Sequence, residues 1–445
     1  MKILVLSRGA VGSMMGSVGV RNYHIARVLA EQLPDAQVTL SAPNQPDVAP
    51  PHPRVSLASH ASPLAGFLQM LRHDVIISRD LPFYAGPLFL SKRFVLDLYV
   101  AFVIEWMAVS KRIENRARRK LWMQHKRHYI GTQLTLADYI YCSDDRQRDF
   151  WLGALASLGL VVPGSYDRDP TLRGLIDVVP YGVQPGRPQH TRQVLKGVVP
   201  GIDEADTVLI WNGALMEYFD APTVIRAMAE VSRVRSDVKL FFLGVEHPDY
   251  VTGMLFDPPR DAVALSRALG LYERTVFFNY NWVPYAEIGN YLAEADIGVC
   301  AGFDNMEAHY AYRTRFVDLF WAELPIVCTR GDVLADRVGR EGLGVVVAPG
   351  DASGFAAAVL RLVEDREFYE RCRRNLALVK EELSWERVAR PLVEFCRHAE
   401  SMAAPKRRRL LPLLSRSAAS SLVLAQRAAE YAVARARGLE RRSEA

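Results

Sequence analysis

Charged side chains follow one another closely in residues 295–332, and their types suit the binding of an anion that also carries hydroxyl groups. They are Glu307, His309, Arg313, Arg315 and Asp318, which is more charge than a connecting loop needs. Where no metal takes part, a nucleoside diphosphate needs Arg, Lys or backbone N–H groups to balance its charge. Arg313 and Arg315 lie two residues apart, so one or both can point into a cleft.

Carboxylates in the same stretch suit the hydroxyl groups of such a ligand. A carboxylate commonly accepts hydrogen bonds from the hydroxyls of a ribose, and Asp318, one turn into a predicted helix, is placed for that role. Glu307 is available for the hydroxyls of a hexose. Because Arg–Asp pairs at helical spacing are common on surfaces, each residue alone carries little weight. Their concentration favours the hypothesis that this stretch holds a sugar nucleotide.

The elements around these side chains are those of a parallel α/β sheet. The pattern predicts a buried strand at 297–300, a polar loop, a helix at about 314–322 and a second apolar run at 325–327. In such sheets, the loop after a strand and the start of the next helix lie at the edge where ligands bind. The charged loop is therefore expected at a ligand-binding edge.

A glycine-rich segment follows the first predicted strand, MKILVLS. It contains Gly9, Gly12, Gly16 and Gly19, and a helical pattern starts at Arg21. A strand, a glycine loop and a helix together expose backbone N–H groups to an anion. Gly16, Gly19 and Arg21 are therefore candidates for contact with a phosphate or an acceptor. The segment is neither a strict GxGxxG nor a P-loop, and glycines used only for turning are the alternative.

Strands alternate with helices through the first 400 residues, and the pattern restarts with the predicted strand TVLIWNGAL. We therefore predict an α/β protein with two Rossmann-like doubly wound parallel-sheet domains that face a central cleft, followed by a C-terminal helical tail. The run RFVLDLYVAFVIE is predicted as one strand leading into Asp97, Tyr99 and Glu105. The predicted boundaries are 1–184 for the first domain, 185–383 for the second, 384–404 for a closing helix that packs toward the first domain, and 405–445 for the tail.

Composition places the chain among ordinary soluble globular proteins. Half of the 445 residues are hydrophobic and 24% are charged, and no apolar run reaches the roughly 18 residues of a membrane-spanning helix. The start, MKILVLSRGAVG, is typical of a first β-strand rather than a signal peptide. Five scattered cysteines show neither a zinc pattern nor a disulfide framework, which favours a reducing cytosol.

The net charge of +5 is unevenly distributed. From Lys406 onward, ten Lys and Arg stand against three Glu, a charge of +7, which leaves the rest of the chain at about −2. A nearly neutral body does not favour a nucleic-acid enzyme, whereas the tail predicts contact with an anionic surface. A basic amphipathic helix on a membrane and a disordered charged tail are the two alternatives for residues 405–445.

The layout resembles the GT-B glycosyltransferases, and residues 295–332 resemble the nucleotide-sugar region of glycosyltransferase family 4. That family has a Glu-x7-Glu signature followed by Ala-Met-Ala-x-Gly-x-Pro. Here the comparable run is DLFWAELP, which places Asp318 at the second Glu and Tyr310 at the first. Glu307 is the nearby candidate for the missing Glu. The longer run EAHYAYRTRFVDLFWAELPIVCTRGD is more similar to a bacterial subgroup found in surface-polysaccharide assembly.

The resemblance also implies where donor and acceptor bind. Family members carry an Arg and a Lys after the glycine that ends the first strand of the second domain. The residues that directly follow Gly213, up to Asp220, include no base, so Arg313 and Arg315 are the replacements for contact with the diphosphate. Many relatives have a His beside the reaction centre in the first domain, and here Asp97 or Asp80 is expected in its place.

Two sets of site residues follow from the resemblance. One is a donor-binding set and the other a catalytic set. Asp220 belongs to the donor-binding set, although it is also predicted to cap the next helix. The expected donor-binding residues are Gly213, Asp220, His247, Glu307, Arg313, Arg315 and Asp318, and the expected catalytic residues are Asp97, Arg313 and Glu307.

The implied activity is the retaining transfer of a sugar from a nucleotide-diphosphate sugar, held by the second domain, to a hydroxyl acceptor presented by the first. The leaving diphosphate is expected to help deprotonate the acceptor, with no metal and no other cofactor. The expected partners are a glycan or lipid-linked glycan acceptor and an anionic membrane at the cytoplasmic face, in cell-surface polysaccharide or glycolipid biosynthesis. The alternatives are an inactive scaffold or partner subunit, a nucleotide-sugar epimerase and a sugar phosphorylase.

Overall fold

The computed structural model describes residues 1–82, 88, 91–246 and 258–399, and within them two parallel sheets form the centres of two domains. The first sheet has the strand order β3-β2-β1-β4-β5-β6-β7. Its central strands are short apolar runs buried on both faces, as expected where helices cover both sides of a sheet. The strands are β1 (Lys2–Leu6), β2 (Gln37–Ala42), β3 (Val55–Ser59), β4 (Val75–Ser78), β5 (Arg93–Asp97), β6 (Tyr139–Cys142) and β7 (Ile176–Val178). The helices of this domain are α1 (Ser17–Gln32), α2 (Pro63–Arg72), α3 (Phe102–Val109), α4 (Arg116–Leu136), α5 (Asp145–Ser157) and α6 (Pro163–Tyr166), with a 3-10 turn at Ser110–Arg112.

The second sheet has the order β10-β9-β8-β11-β12-β13. Its strands are β8 (Thr207–Asn212), β9 (Val238–Leu243), β10 (Val276–Phe278), β11 (Ile297–Cys300), β12 (Ile326–Thr329) and β13 (Gly344–Val347). The helices of the second half are α7 (Ala221–Val234), α8 (Pro258–Ala268), α9 (Ile288–Glu294), α10 (Met306–His309), α11 (Thr314–Trp321), α12 (Val333–Glu341), α13 (Ala352–Glu364), α14 (Arg366–Glu382), α15 (Trp385–Val388) and α16 (Arg390–Arg397), with a 3-10 turn at Tyr285–Glu287.

In both sheets the order in which strands are added reverses at the first strand of the domain. Strand β1 lies between β2 and β4, and β8 lies between β9 and β11. The loops at the carboxyl ends of the strands diverge at such a switch point and leave a crevice where ligands bind. The predicted fold class, two Rossmann-like doubly wound parallel-sheet domains, is confirmed.

Two element boundaries differ from the sequence prediction. Helix α1 begins at Ser17, before the predicted start at Arg21. The helix includes Gly19, although glycine is a poor helix former. Glycine is required at this position because a Cβ would lie 2.1 Å from the Ala10 carbonyl oxygen. The run RFVLDLYVAFVIE is not one strand, since β5 ends at Asp97 and α3 follows. A continuous apolar run has no periodicity that would mark this change.

The two domains contact each other through separate sets of residues. The Ser13 carbonyl accepts a hydrogen bond from the Tyr285 N–H at 2.8 Å, and His24 Nε2 lies 2.8 Å from the Tyr285 hydroxyl. Arg146 at the start of α5 pairs with Asp336 of α12. These contacts hold the two domains against each other.

The last described helices return to the first domain. The Phe395 ring of α16 stacks on Tyr139 of β6 at 4.5 Å, and Trp385 of α15 stacks on His24 of α1 at 5.2 Å. None of the described helices is long and apolar enough to cross a membrane. The basic tail lies outside the described residues, so its contact with an anionic surface stays a prediction.

Candidate functional site

Residues that follow the carboxyl ends of strands in both sheets line one cleft of about 410 Å³. The first domain contributes the loop before α1, the segment after β5 and helix α3. The second domain contributes the loops after β8 and β11 and the first turns of α11. The polar, charged and glycine residues that line the cleft include Gly16, Tyr99, Glu105, Asn212, Gly213, Glu307, Arg313, Arg315 and Asp318. The charged loop predicted at the ligand edge thus forms the second-domain wall.

Arg315 is a buried cation that has no ion-pair partner among the described residues. Its guanidinium lies over the rings of Phe219 and Trp211, 3.7 and 4.6 Å from their centroids, and one Nη group donates to the Ala214 carbonyl at 3.1 Å. Among the described residues, no carboxylate forms an ion pair with Arg315, and its Nη1 has no hydrogen-bond partner. Burial lowers the pKa of Arg315 to about 10, so the side chain is still charged at neutral pH.

Arg313 and Glu307 come together as a neutral pair in the same wall. Nη1 of Arg313 donates to Oε1 of Glu307 at 3.1 Å, and Nη2 donates to Oε2 at 2.6 Å. Burial disfavours the charged arginine, but the Glu307 carboxylate outweighs it and raises the pKa of Arg313 above its usual value. The two guanidinium groups of this loop therefore differ, because only that of Arg313 is balanced by a carboxylate.

Asp318 projects from α11 toward the end of β8. Its Oδ2 accepts a hydrogen bond from Nδ2 of Asn212 at 2.7 Å. Burial raises the pKa of Asp318 to about 7, although the Asn212 hydrogen bond and the charge of Arg315 oppose this. Tyr181 and Tyr285 line the cleft beside it. Asp318, the residue predicted to bind a ribose, therefore lines the cleft, and one of its carboxylate oxygens is held by the Asn212 amide.

The remaining donor-binding predictions divide between cleft and core. Gly213 lines the cleft at the end of β8 with φ +97°, a conformation that other residues adopt only at a cost. Asp220 does not reach the cleft, because its Oδ1 caps α7 through the Thr223 N–H and its Oδ2 accepts from the Thr223 hydroxyl at 2.6 Å. The donor-binding role of Asp220 is therefore replaced by helix capping. His247 lies outside the described residues.

Arg21 and Asp97 form a pair inside the first domain. Nε and Nη2 of Arg21 donate to the two Asp97 carboxylate oxygens at 2.7 and 3.1 Å. Nη1 and Nη2 also donate to the carbonyls of Pro180 and Val179, and both side chains are almost fully buried. This arrangement corrects both predictions. Neither residue lines the cleft, so Arg21 does not present its charge there and Asp97 does not face it.

The two candidate glycines also have different surroundings. Gly16 precedes α1 and lines the cleft, next to a first turn whose N–H groups have no side-chain cap. Gly19 is buried against the glycine loop, where the close approach to Ala10 requires the absence of a side chain. Gly16 therefore keeps its candidate role, whereas Gly19 has a packing role.

The cleft also contains polar residues that the predicted site omitted. Asn212 holds Asp318, and Tyr99 and Glu105 come from the segment predicted as a strand. The charge of Glu105 inside an otherwise apolar run was the signal that could have identified it. Asp80, the other first-domain candidate, accepts from the Tyr129 hydroxyl at 2.7 Å and pairs with Arg8. No group of three or more His, Cys, Asp or Glu side chains in the described ranges is arranged to hold a metal ion.

The raised pKa of Asp318 predicts a measurable dependence of stability on pH. Because the folded protein holds this proton up to about pH 7, whereas an unfolded Asp releases it near pH 4, the free energy of unfolding falls as the pH rises through this window. Asp318→Asn keeps an acceptor for Asn212 and removes the titration. We expect the ligand-free variant to be more stable than the wild type by about 1–2 kcal/mol at pH 8.

Urea unfolding at pH 5 and pH 8 measures this effect. The advantage of Asp318→Asn should shrink at pH 5, and the exposed Asp35→Asn is the matched control. A gain in the free energy of unfolding of Asp318→Asn that is equal at both pH values would contradict the raised pKa of Asp318.

Comparisons with known proteins agree with the fold described above. Residues 206–365, which include β8 and the charged loop, match the family model described as "Glycosyl transferases group 1". No curated protein sequence matches the chain significantly. Among solved structures, sucrose-phosphate synthase (tll1590) from Thermosynechococcus elongatus has a TM-score of 0.63 at 15% identity, covering 91% of this chain and 100% of that chain.

Two further structures cover most of the chain. WaaG, a glycosyltransferase involved in lipopolysaccharide biosynthesis, has a TM-score of 0.58 at 13% identity and covers 89% of this chain and 99% of its own. Anabaena Alr3699/HepE in complex with UDP and glucose has a TM-score of 0.58 at 14% identity with the same coverage, 89% and 99%. At such identities the likeness shows the fold, and assignment to family 4 stays a prediction. The chain thus has the GT-B fold of these glycosyltransferases, and its second domain matches the glycosyl transferases group 1 family.

Proposed function

We propose that this chain is a retaining glycosyltransferase that moves a sugar from a nucleotide-diphosphate sugar to a hydroxyl acceptor. The observation that carries the proposal is the unmatched charge of Arg315 in the wall of the cleft. A buried ion without a partner costs several kcal/mol. A diphosphate beside Arg315 would offset this cost with charge-assisted hydrogen bonds, the strongest that an arginine makes.

The other groups of the second-domain wall support the same ligand. Asp318 lies beside Arg315 and is suited to accept hydrogen bonds from a ribose, and Gly213 lets a ligand approach the backbone closely. Glu307 lines the cleft with both oxygens held by Arg313, and its remaining lone pairs could accept hydrogen bonds from the hydroxyls of the transferred sugar. Anabaena Alr3699/HepE binds UDP and glucose, which makes a uridine nucleotide the first donor to test.

In the transfer, the bond between the anomeric carbon and the phosphate oxygen breaks, and its electron pair leaves on the diphosphate. Arg315, with the N–H groups next to Gly16, would stabilise the charge that develops there. We propose that the guanidinium groups supply this stabilisation without a divalent metal, in which case the rate is the same with and without EDTA. A rate that collapses in EDTA and returns with Mg²⁺ would contradict this part of the proposal.

The test is a panel of UDP, GDP, ADP and dTDP sugars added to the full chain, with thermal shift and slow donor hydrolysis as readouts. We expect one nucleotide to raise Tm and its sugar donor to be hydrolysed. The exposed Arg340→Ala is the control and should respond as the wild type does. Failure of every nucleotide to bind would refute the transferase proposal. Binding without hydrolysis or transfer would favour the inactive scaffold, and conversion of one donor into another would favour the epimerase.

A further inference from the structure

Tyr285 of the second domain lines the cleft and is held there by the first domain. Its N–H donates to the Ser13 carbonyl at 2.8 Å, and its hydroxyl oxygen lies 2.8 Å from Nε2 of His24 in α1. The His24 side chain is itself fixed, because it is buried and its ring stacks on Trp385 with the centroids 5.2 Å apart. The first domain therefore positions both the backbone and the hydroxyl group of Tyr285.

The tautomer of His24 follows from its neighbour Arg27. The Nε–H of Arg27 donates to Nδ1 of His24 at 3.4 Å, so Nδ1 is the ring nitrogen that carries no hydrogen. Burial, followed by the charge of Arg27, lowers the pKa of His24 to about 3, so the ring is neutral at neutral pH. In a neutral imidazole, the nitrogen that does not accept carries the single hydrogen. Nε2–H of His24 therefore donates to the Tyr285 hydroxyl oxygen.

This assignment leaves the hydrogen of the Tyr285 hydroxyl for another acceptor. Burial, followed by the negative charge of Asp318, raises the pKa of Tyr285 above its usual value, so the hydroxyl keeps its proton. Among the described residues, His24 is the only hydrogen-bond partner of this hydroxyl. The charge of Asp318 acts on the hydroxyl because both side chains belong to the same part of the cleft. The Tyr285 O–H is thus a hydrogen-bond donor beside the Asp318 carboxylate.

We propose that the Tyr285 hydroxyl donates a hydrogen bond to a pentose hydroxyl oxygen of the bound nucleotide, and that His24 and Arg27 fix the direction of this bond. The inference rests on the proposed function, in which Asp318 accepts hydrogen bonds from the same pentose. A hydroxyl group both donates and accepts, so a carboxylate and a tyrosine O–H side by side are complementary to it. Tyr285 is the binding residue, and His24 and Arg27 are positioning residues. Because both lie on α1, nucleotide affinity depends on the first domain as well as on the second.

Calorimetric titration of the full chain tests this arrangement. The ligand is whichever of UDP, GDP, ADP and dTDP raises the Tm of the wild type most, together with its analogues that lack one or both pentose hydroxyls. We expect Tyr285→Phe to raise the Kd of the parent nucleotide by about three- to tenfold, the usual contribution of one hydrogen bond. The same variant should bind the analogue without pentose hydroxyls within about twofold of wild type. His24→Leu should show the same pattern, whereas His24→Gln, which keeps an N–H donor, should bind the parent nucleotide within about twofold of wild type.

The exposed Tyr166→Phe is the matched control and should bind every ligand as the wild type does. A purely structural role of Tyr285 would weaken the parent nucleotide and its analogues equally, and that result would overturn the proposal. The tautomer is checked in the ligand-free protein by long-range ¹H–¹⁵N correlation spectra. The His24 signal, identified by its loss in His24→Gln, should show the hydrogen on Nε2, and a hydrogen on Nδ1 would contradict the assignment.

The titrations also separate this inference from the function on which it rests. If no nucleotide binds the wild type, the proposed function fails and the inference fails with it. If the parent nucleotide binds and Tyr285→Phe leaves its Kd unchanged, the inference alone fails, and the diphosphate site at Arg315 still stands.

Discussion

Replacement of Arg315 by methionine is expected to abolish nucleotide binding without destabilising the ligand-free protein. The side chain is buried over Phe219 and Trp211, and a thioether keeps favourable contacts with both rings. The unmatched positive charge disappears, so the free energy of unfolding should be unchanged or should rise by about 1–2 kcal/mol. The diphosphate loses its unbalanced cation, and the Kd for the nucleoside diphosphate should rise by at least about 100-fold.

A loss of nucleotide affinity together with an unchanged or higher free energy of unfolding would be specific to an anion site at Arg315. Arg313→Met is the matched comparison, because it leaves the half-buried Glu307 without its partner and should destabilise the fold by about 1–3 kcal/mol. Calorimetric titration with the nucleoside diphosphate and urea unfolding measure both quantities. Nucleotide binding that survives in Arg315→Met, and also in the variant lacking both arginines, would place the diphosphate elsewhere.

Replacement of Arg21 by methionine should have the largest effect on stability. The change leaves the Asp97 carboxylate buried without its cation, and it removes the donors to the Val179 and Pro180 carbonyls. We expect a loss of about 3–5 kcal/mol in the free energy of unfolding. Nucleotide affinity in the folded fraction should not change, because Arg21 does not line the cleft.

The double variant Arg21→Met with Asp97→Leu isolates the cause of this loss. It removes both charges, so it should be more stable than Arg21→Met alone. Urea unfolding of the two single variants and the double variant gives the coupling energy between the side chains. If the double variant loses the sum of both single losses, the pair is not coupled. A loss of nucleotide affinity in folded Arg21→Met would restore Arg21 as a phosphate ligand.

The sequence by itself determined the repeated α/β pattern and the place of the charged loop. Strand 297–300, the polar loop and the helix from Thr314 were readable because a short buried strand, a run of polar residues and a helical period differ clearly. The loop after a parallel strand always lies at the carboxyl edge of its sheet, so the arrival of Glu307, Arg313 and Asp318 at the cleft followed from chain order.

Only the tertiary structure decided which charges remain free for a ligand. Arg21 and Asp97 meet across 76 positions of sequence, and their pairing removes both from the site. Arg313 and Arg315 look equivalent in sequence, but Glu307 balances only one of them. Glu105 reaches the cleft because an apolar run changes from strand to helix where no periodicity marks it. In each case the partner of a charged side chain depends on long-range packing, which local sequence does not encode.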